Sequence, residues 1–187
     1  GGKRVSAATA EHDWTATDIS LAETAMTDLG QDRLFLIRDG EDRLDQTLAD
    51  RGYRVVDPVL VYAGSTAELG AYPPDPMAVF SHWPPLAICR EIWALGGIGP
   101  ARFAVMERVA GPKTFLLARN ADRPAGAAFV ATAGRTDMLH ALQVVPDARR
   151  QGSARNMIRA AAAWALTEGA DTLSVVVTTA KSAARSL

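Results

Sequence analysis

The chain has 187 residues, 48% of them hydrophobic: room for one ordinary domain plus an appendage, with no apolar run of the roughly 18 residues that a membrane span needs. A formal net charge of −1 gives no argument for nucleic acid or a membrane surface as partner. Cys89 is the single cysteine and His12, His82 and His140 lack metal-ligand spacing, which excludes an intrachain disulfide and a thiolate cluster, leaves no metal expected, and fits a cytoplasmic compartment. The opening Gly1-Gly2-Lys3 has neither an initiator Met nor a signal pattern, so the chain is expected to begin inside a longer protein.

Residues 3–8 read as a short strand. Helical spacing over 17–30, with Thr17 or Asp18 as cap and Gly30 as stop, predicts a helix. The run 34–38 (LFLIR) reads as a buried strand, and 41–51 as a helix with Leu44 and Leu48 on one face. Residues 54–64 are extended, with Pro58 marking an edge or bulge. The Gly-, Pro- and Ala-rich stretch 65–76 reads as a linker. Two helices follow, 84–97 and 100–111, each opening on proline and closing on glycine. Three strands, 113–120, 125–134 and 136–145, are joined by turn-like connections that imply antiparallel neighbours. The alanine-rich 149–169 is a helix ending at Gly169, 172–178 is a buried strand, and 182–187 opens a further helix. Residues 34–53 repeat the pattern of 173–187, a buried strand followed by a loop and a helix, with Leu34 over Leu173 and Leu48 over Leu187.

Chemistry concentrates in 139–158, where a strand enters a basic, glycine-containing loop that opens a long helix. The first turn of a helix leaves several backbone N–H groups without intrahelical partners, pointing one way at the positive end of the dipole. A pyrophosphate needs such a cluster. Gly152 removes the side chain where phosphate would approach, Ser153 and Ala154 stay small, and Arg149, Arg150 and Arg155 add positive charge. A dinucleotide-binding fingerprint does not fit, because G-x-G-x-x-G and its parallel-strand context are missing.

Arg149-x-x-Gly152-x-Ala154, preceded by Leu142-x-Val144-x-Pro146, resembles motif A of the GNAT acetyltransferases, whose pattern is Q/R-x-x-G-x-G/A after a strand ending in L-x-V. The resemblance runs for roughly 75 residues, from 113 to Leu187, in the family's order of elements. Lys181-x-x-Ala184-x-x-Leu187 stands where the family often has N-x-x-A-x-x-L-Y, with Lys181 in place of Asn. The family's tyrosine would be the next residue, so the chain is expected to continue past Leu187 with that tyrosine and two more strands. If it does not, residues 54–63 would supply the absent strands.

The resemblance implies an α/β (α+β) GNAT fold, a mixed, mostly antiparallel sheet flanked by helices. It implies three parts: 1–64 as a degenerate GNAT-like half without its own motif loop, a linker at 65–76, and an acetyl-CoA-binding domain from 77 to 187, truncated at its C-terminus. It implies acetyl-CoA as co-substrate and direct attack of a primary amine on the thioester, with both substrates held together. Leu142, Gln143 and Val144 would pair through their backbone with the pantetheine arm. Arg149, Arg150, Gln151, Gly152, Ser153, Ala154 and Arg155 would hold the pyrophosphate. Backbone N–H groups near Leu142 would polarise the carbonyl. His140, just before the loop and on one face with Met138 and Leu142 by strand alternation, is the candidate base for the acceptor's proton, and resembles a histidine of the arylalkylamine acetyltransferases.

His82 and Trp83 could line an acceptor pocket, but a packed histidine is the simpler reading. Glu91 and Glu107 read as helix-surface charges, Trp83 and Trp93 as core, and Cys89 as a small core residue. The expected partner is a small-molecule or peptide amine, without nucleic acid or membrane, and a homodimer is compatible. The competing reading is a catalytically silent acyl-CoA-binding or sensing module.

Overall fold

The computed structural model describes residues 6–178, and the chain divides into two compact units between Val56 and Asp57. In the first unit, α1 (Ala16–Asp28) and α2 (Asp42–Asp50) supply Ile19, Leu44 and Leu48 to a small core shared with Trp14, Phe35, Ile37 and Tyr53. Thr15, and neither Thr17 nor Asp18, caps α1. The Asp18 carboxylate accepts from the Thr15 N–H at 2.8 Å and from its hydroxyl at 2.7 Å. Tyr53 packs edge-on against Phe35 and donates to Glu23 at 2.9 Å.

The two strands expected in this unit are not extended ladders. Ser6 is helical, and LFLIR makes one parallel bridge, Phe35 to Ala8. Residues 3–5 of the first expected strand lie outside the described residues.

The second unit is built on a six-stranded sheet. Its strands are β1 (Val59–Ser65), β2 (Val79–His82), β3 (Lys113–Asn120), β4 (Arg123–Ala133), β5 (Thr136–Val144) and β6 (Thr172–Thr178), in spatial order β1-β6-β5-β4-β3-β2. Every neighbouring pair is antiparallel except β5–β6. The turns after β3 and β4 are too short for anything but hairpins, whereas β5 reaches β6 through a 3₁₀ turn (Pro146–Ala148) and a helix.

Between β1 and β2 lies α3 (Thr66–Gly70). Two more helices, α4 (Ala87–Leu95) and α5 (Pro100–Glu107), precede β3, and α6 (Ser153–Thr167) crosses from β5 to β6. One core cluster joins α6 to Leu116, Ala128, Val130 and Leu139. A second joins Cys89, Ile92 and Trp93 of α4 and Met106 of α5 to Phe115, Ala127 and Phe129. The α6 face is Ser153, Met157, Ala161, Ala162 and Ala165, at helical spacing, and all but Met157 are small residues that let the helix lie close to the sheet. Gly126 opposes it: a Cβ there would stand 2.9 Å from the Met157 methyl and 2.7 Å from the Gln143 carbonyl.

Two sequence expectations change here. Residues 54–64 do not close the N-terminal part. Val59–Ser65 is an edge strand of the second unit, paired antiparallel to β6 from Val59↔Thr178 to Ser65↔Thr172. Residues 65–76 do not behave as a linker at their start. Thr66 is fully buried, donating through its hydroxyl to Ala170 O at 2.8 Å and through its N–H to Asp171 O at 2.9 Å, and α3 packs on α6 beside Gly70. The strand Val79–His82 was not anticipated. The helix expected at 182–187 lies outside the described residues.

Asp137 on β5 is fully buried, and its main-chain carbonyl accepts from the Ser174 hydroxyl at 3.1 Å. Burial pushes its carboxyl above the usual range, the Thr132 hydroxyl opposes this, and the charge of Glu168 adds to it. The folded state therefore binds this proton more tightly than the unfolded chain does. The resulting stability is full below the unfolded carboxylate pKa and is lost as pH rises through the folded one. Asp137→Asn, which cannot ionise, should gain on wild type as pH rises above the ordinary carboxylate range. Urea midpoints of the two proteins would show it, and a pH-independent gap between them would refute it.

Candidate functional site

The site is made where β5 leaves β6. Their parallel pairing runs from Thr136↔Thr172 to Leu139↔Val175 and goes no further. On its other side β5 stays paired to β4, but the register slips. Phe129 faces His140 while Ala127 faces Gln143, so one residue of β4 opposes two of β5. This is a β-bulge, and its first residue, Ala141, has φ of +51°, a left-handed conformation unusual for a residue with a Cβ. The indole N–H of Trp93, on α4, donates to the Ala141 carbonyl at 2.7 Å. Trp93 is itself buried, with its ring against Phe103 and Phe115.

The bulge changes which side chains share a face. Residues paired across antiparallel strands point the same way. His140 and Gln143 therefore lie with Phe129 and Ala127, on the side of α4 and α5, and His140 stacks on Phe129 with ring centroids 6.1 Å apart. Leu142 packs instead with Leu139 and Met157 on the α6 side. The expectation that Met138, His140 and Leu142 share one face fails at Leu142, because simple alternation does not survive an inserted residue. The Gln143 side chain lies against the end of α4, where a Cβ on Gly96 would come within 2.6 Å of its amide.

Removing the indole donor should be felt in stability. Trp93→Phe leaves the Ala141 carbonyl without its donor in a half-buried place, at a cost of about 1–3 kcal/mol. Urea denaturation measures it. A change below about 0.5 kcal/mol would mean the bulge does not depend on this bond.

Beyond β5, Arg149 is extended, Arg150 has φ of +62°, and Gly152, with φ of +86°, is the residue from which α6 starts. Glycine suits that last position because the left-handed region costs it nothing. A Cβ on Gly152 would meet only an Arg155 guanidinium nitrogen, 3.4 Å away, so the space over the helix end is open. Ser153 is buried, and Gly152 and Ala154 are half-buried. Arg149, Arg150, Gln151 and Arg155 are exposed, and among the described residues none of these three arginines is ion-paired.

The Arg149 Nε leans back on Val144 O at 3.4 Å. Gln151 does not face the helix end. Its Nε2 donates to Asp147 O at 2.7 Å, and its Oε1 accepts from Asn120 Nδ2 at the end of β3. Asn120 and Trp93 were missed as site residues by sequence reasoning, and neither carries a local signal, since each acts through a partner distant in the chain.

The other side chains singled out in the sequence are mostly structural. His82 closes β2, and its Nε2 accepts from the Leu86 N–H at 3.2 Å with the Cys89 thiol 3.8 Å away. Burial pulls the His82 imidazole below its ordinary value, against a smaller opposing effect of the Phe80 backbone, and pushes the Cys89 thiol up to about 11. A thiol raised this far is not a nucleophile at neutral pH. Glu91 and Glu107 are exposed. Trp83 stacks on Phe115 but keeps 43% of its surface exposed, so it is not core. Among the described residues no group of three or more acidic, His or Cys side chains could hold a metal, and no helix is long and apolar enough to cross a membrane.

The model of the Acetyltransferase (GNAT) family matches residues 71–187, more than half of the chain, and the chain belongs to that family. Members of the family are acetyltransferases that generally use acetyl-CoA. Among solved structures, the chain is similar to a functionally unknown conserved protein from Staphylococcus epidermidis, at 10% identity and TM-score 0.58, covering 90% of this chain and 71% of that one. It is similar to a GCN5-related N-acetyltransferase from Sphaerobacter thermophilus, at 13% identity and TM-score 0.57, covering 80% of this chain and 52% of that one. A putative GNAT acetyltransferase from Novosphingobium aromaticivorans matches at 15% identity and TM-score 0.49, over 72% of this chain and 62% of its own. The chain thus spans less than two thirds of the Novosphingobium and Sphaerobacter proteins. Among curated proteins, none matches the sequence.

Proposed function

We propose that the second unit moves an acetyl group from acetyl-CoA to a primary amine by direct attack while both are bound. The observation that carries this is the parting of β5 from β6 at Leu139, directly before a loop that ends in the glycine-opened start of α6. A pantetheine arm would lie along Leu142, Gln143 and Val144 as a substitute strand, through the backbone. The pyrophosphate would meet the free N–H groups of the first turn at Gly152, Ser153, Ala154 and Arg155, with Arg149 and Arg150 adding charge. Because that pairing uses the plane of the sheet, the acceptor would approach from the face of His140 and Gln143.

Acetyl-CoA supplies an activated acyl group with a thiolate leaving group. The amine nitrogen forms its bond to the carbonyl carbon, the carbon–sulfur bond breaks, and the sulfur takes up a proton. His140 would remove the proton that the attacking nitrogen must lose, directly or through one water. What supports this role is its place beside Leu139, the last residue of β5 paired to β6, on the α4 side of the sheet.

The first unit, up to Val56, would be what remains of the degenerate second half expected over 1–64; the extended–helix order of 34–50 supports it. The acceptor would be a small-molecule or peptide amine, in a cytoplasmic setting.

Calorimetry with CoA, followed by thiol release from acetyl-CoA across a panel of primary amines, tests the reading. CoA binding with thiol release for at least one amine is the expected result. Binding without release for any amine would favour an acyl-CoA sensor, and no CoA binding would overturn both readings.

A further inference from the structure

We infer that Asn120, at the far end of β3, is a positioning residue for the pyrophosphate loop, acting through the side chain of Gln151. The inference rests on the acetyl-CoA site proposed above. It begins from a conformational oddity of the loop. Between the 3₁₀ turn at Pro146–Ala148 and the start of α6 the chain must reverse into the helix in four residues. It does so with two of them left-handed, Arg150 at φ +62° and Gly152 at φ +86°. Gly152 adopts this freely, but Arg150 does not, because its Cβ crowds the following carbonyl. A strained residue of this kind persists only when its surroundings hold it.

The surroundings that hold it are the two bonds of Gln151. Its Nε2 reaches back to Asp147 O at 2.7 Å, closing a ring around Arg149 and Arg150 from one side of the strained residue to the other. That bond alone would let the ring move as a body. Its Oε1 accepts from Asn120 Nδ2, which ties the ring to the end of β3. β3 is anchored next to Asn120. Its residues 115–118 are paired on both sides, to β2 and β4, Leu116 and Ala118 are wholly buried against the α6 side of the sheet, and Asn120 itself pairs with Arg123 of β4.

Three consequences follow for an anion at the helix start. The N–H groups of the first turn are aimed before the anion arrives, so little conformational entropy is lost on binding. The side chains of Arg149 and Arg150 stay free of the clamp, since Gln151 makes its bonds. Gln151 therefore contributes as a strut of the loop, with its amide already committed to two protein partners. The amide suits this task because one group donates and accepts at once, which no lysine or glutamate in its place can do.

The test is a double-mutant cycle, read as the dissociation constant for CoA by calorimetry on the full chain. Asn120→Ala and Gln151→Ala should each weaken CoA several-fold, and the double variant should be no weaker than the worse of the two, because both remove the same clamp. A general loss of structure would weaken every ligand alike. The clamp predicts that acetyl-pantetheine, which lacks the pyrophosphate, binds each variant as it binds wild type. Unchanged CoA affinity in Asn120→Ala, effects that simply add in the double variant, or equal loss for acetyl-pantetheine would each overturn the clamp. Gly152→Glu, measured alongside, separates this from a failure of the site itself. If Gly152→Glu binds CoA like wild type, the loop is not the pyrophosphate site and both inferences fall. If Gly152→Glu abolishes binding while the alanine variants bind as wild type, the site stands and the clamp alone is wrong.

Discussion

Gly152→Glu is expected to abolish CoA binding, with a loss of affinity of about 10²-fold or more from two separate causes. The first is backbone strain: at φ of +86° a residue with a Cβ costs about 1–2 kcal/mol more than glycine, which is five- to thirty-fold if the loop relaxes instead. The second is charge. The new carboxylate would stand over the open start of α6, where the free N–H groups would hold it in place of phosphate and where it would repel the pyrophosphate. Gly152→Ala separates the two, because it carries the strain without the charge. Calorimetry with CoA should therefore rank wild type first, alanine next and glutamate last, with circular dichroism unchanged in all three. A glutamate variant that binds as tightly as the alanine variant would show that no phosphate approaches this residue.

His140→Gln is expected to lower turnover by about 10²-fold, the common scale for one acid–base group, while CoA affinity stays near that of wild type. The substitution keeps polarity and much of the volume, and the face against Phe129 can accept an amide in place of the ring. It removes only titration. Only a neutral imidazole can take the amine's proton, so the loss should be greatest on the alkaline side of the histidine's titration, and the acid limb that this titration imposes on the pH–rate profile should vanish. The measurement is initial rates of thiol release across pH with an amine that wild type accepts. Full activity with an unchanged profile would make His140 a packing residue and move the base to a water chain. The structure alters the geometry behind this prediction without removing it. His140 and Leu142 lie on opposite faces because of the bulge at Ala141, so the histidine would serve an acceptor arriving from the α4 side.

The elements that could be read from sequence are those whose signal is local. β3 and β6 coincide with the runs 113–120 and 172–178, since short apolar segments between turn residues have little else to become. α6 was legible from its alanines and Gly169, and its glycine-opened start from the motif that begins at Arg149. The cores of α1 and α2 follow from periodicity alone.

What the tertiary structure decided depends on partners far away in the chain. Whether 59–65 belongs to the N-terminal part or to the main sheet is settled by pairing with β6, with Leu60 opposite Val177; the sequence offered the main sheet only as the alternative for 54–63, without naming the strand it would pair with. Thr66 looked like linker because a buried hydroxyl and a solvated one are the same in sequence, and only Ala170 O at 2.8 Å distinguishes them. LFLIR has strand composition, but among the described residues of its unit it finds one bridge and no ladder, and a strand without a neighbour is not a strand. The bulge at Ala141 is the sharpest case. Alternation assigns faces only while each residue faces one partner, and an inserted alanine carries no side-chain mark of its left-handed backbone. The residue types of the candidate site were therefore determined by the sequence. The side of the sheet on which His140 and Leu142 stand was decided by a register slip at Ala141, whose carbonyl accepts from the Trp93 indole on α4, 48 positions away.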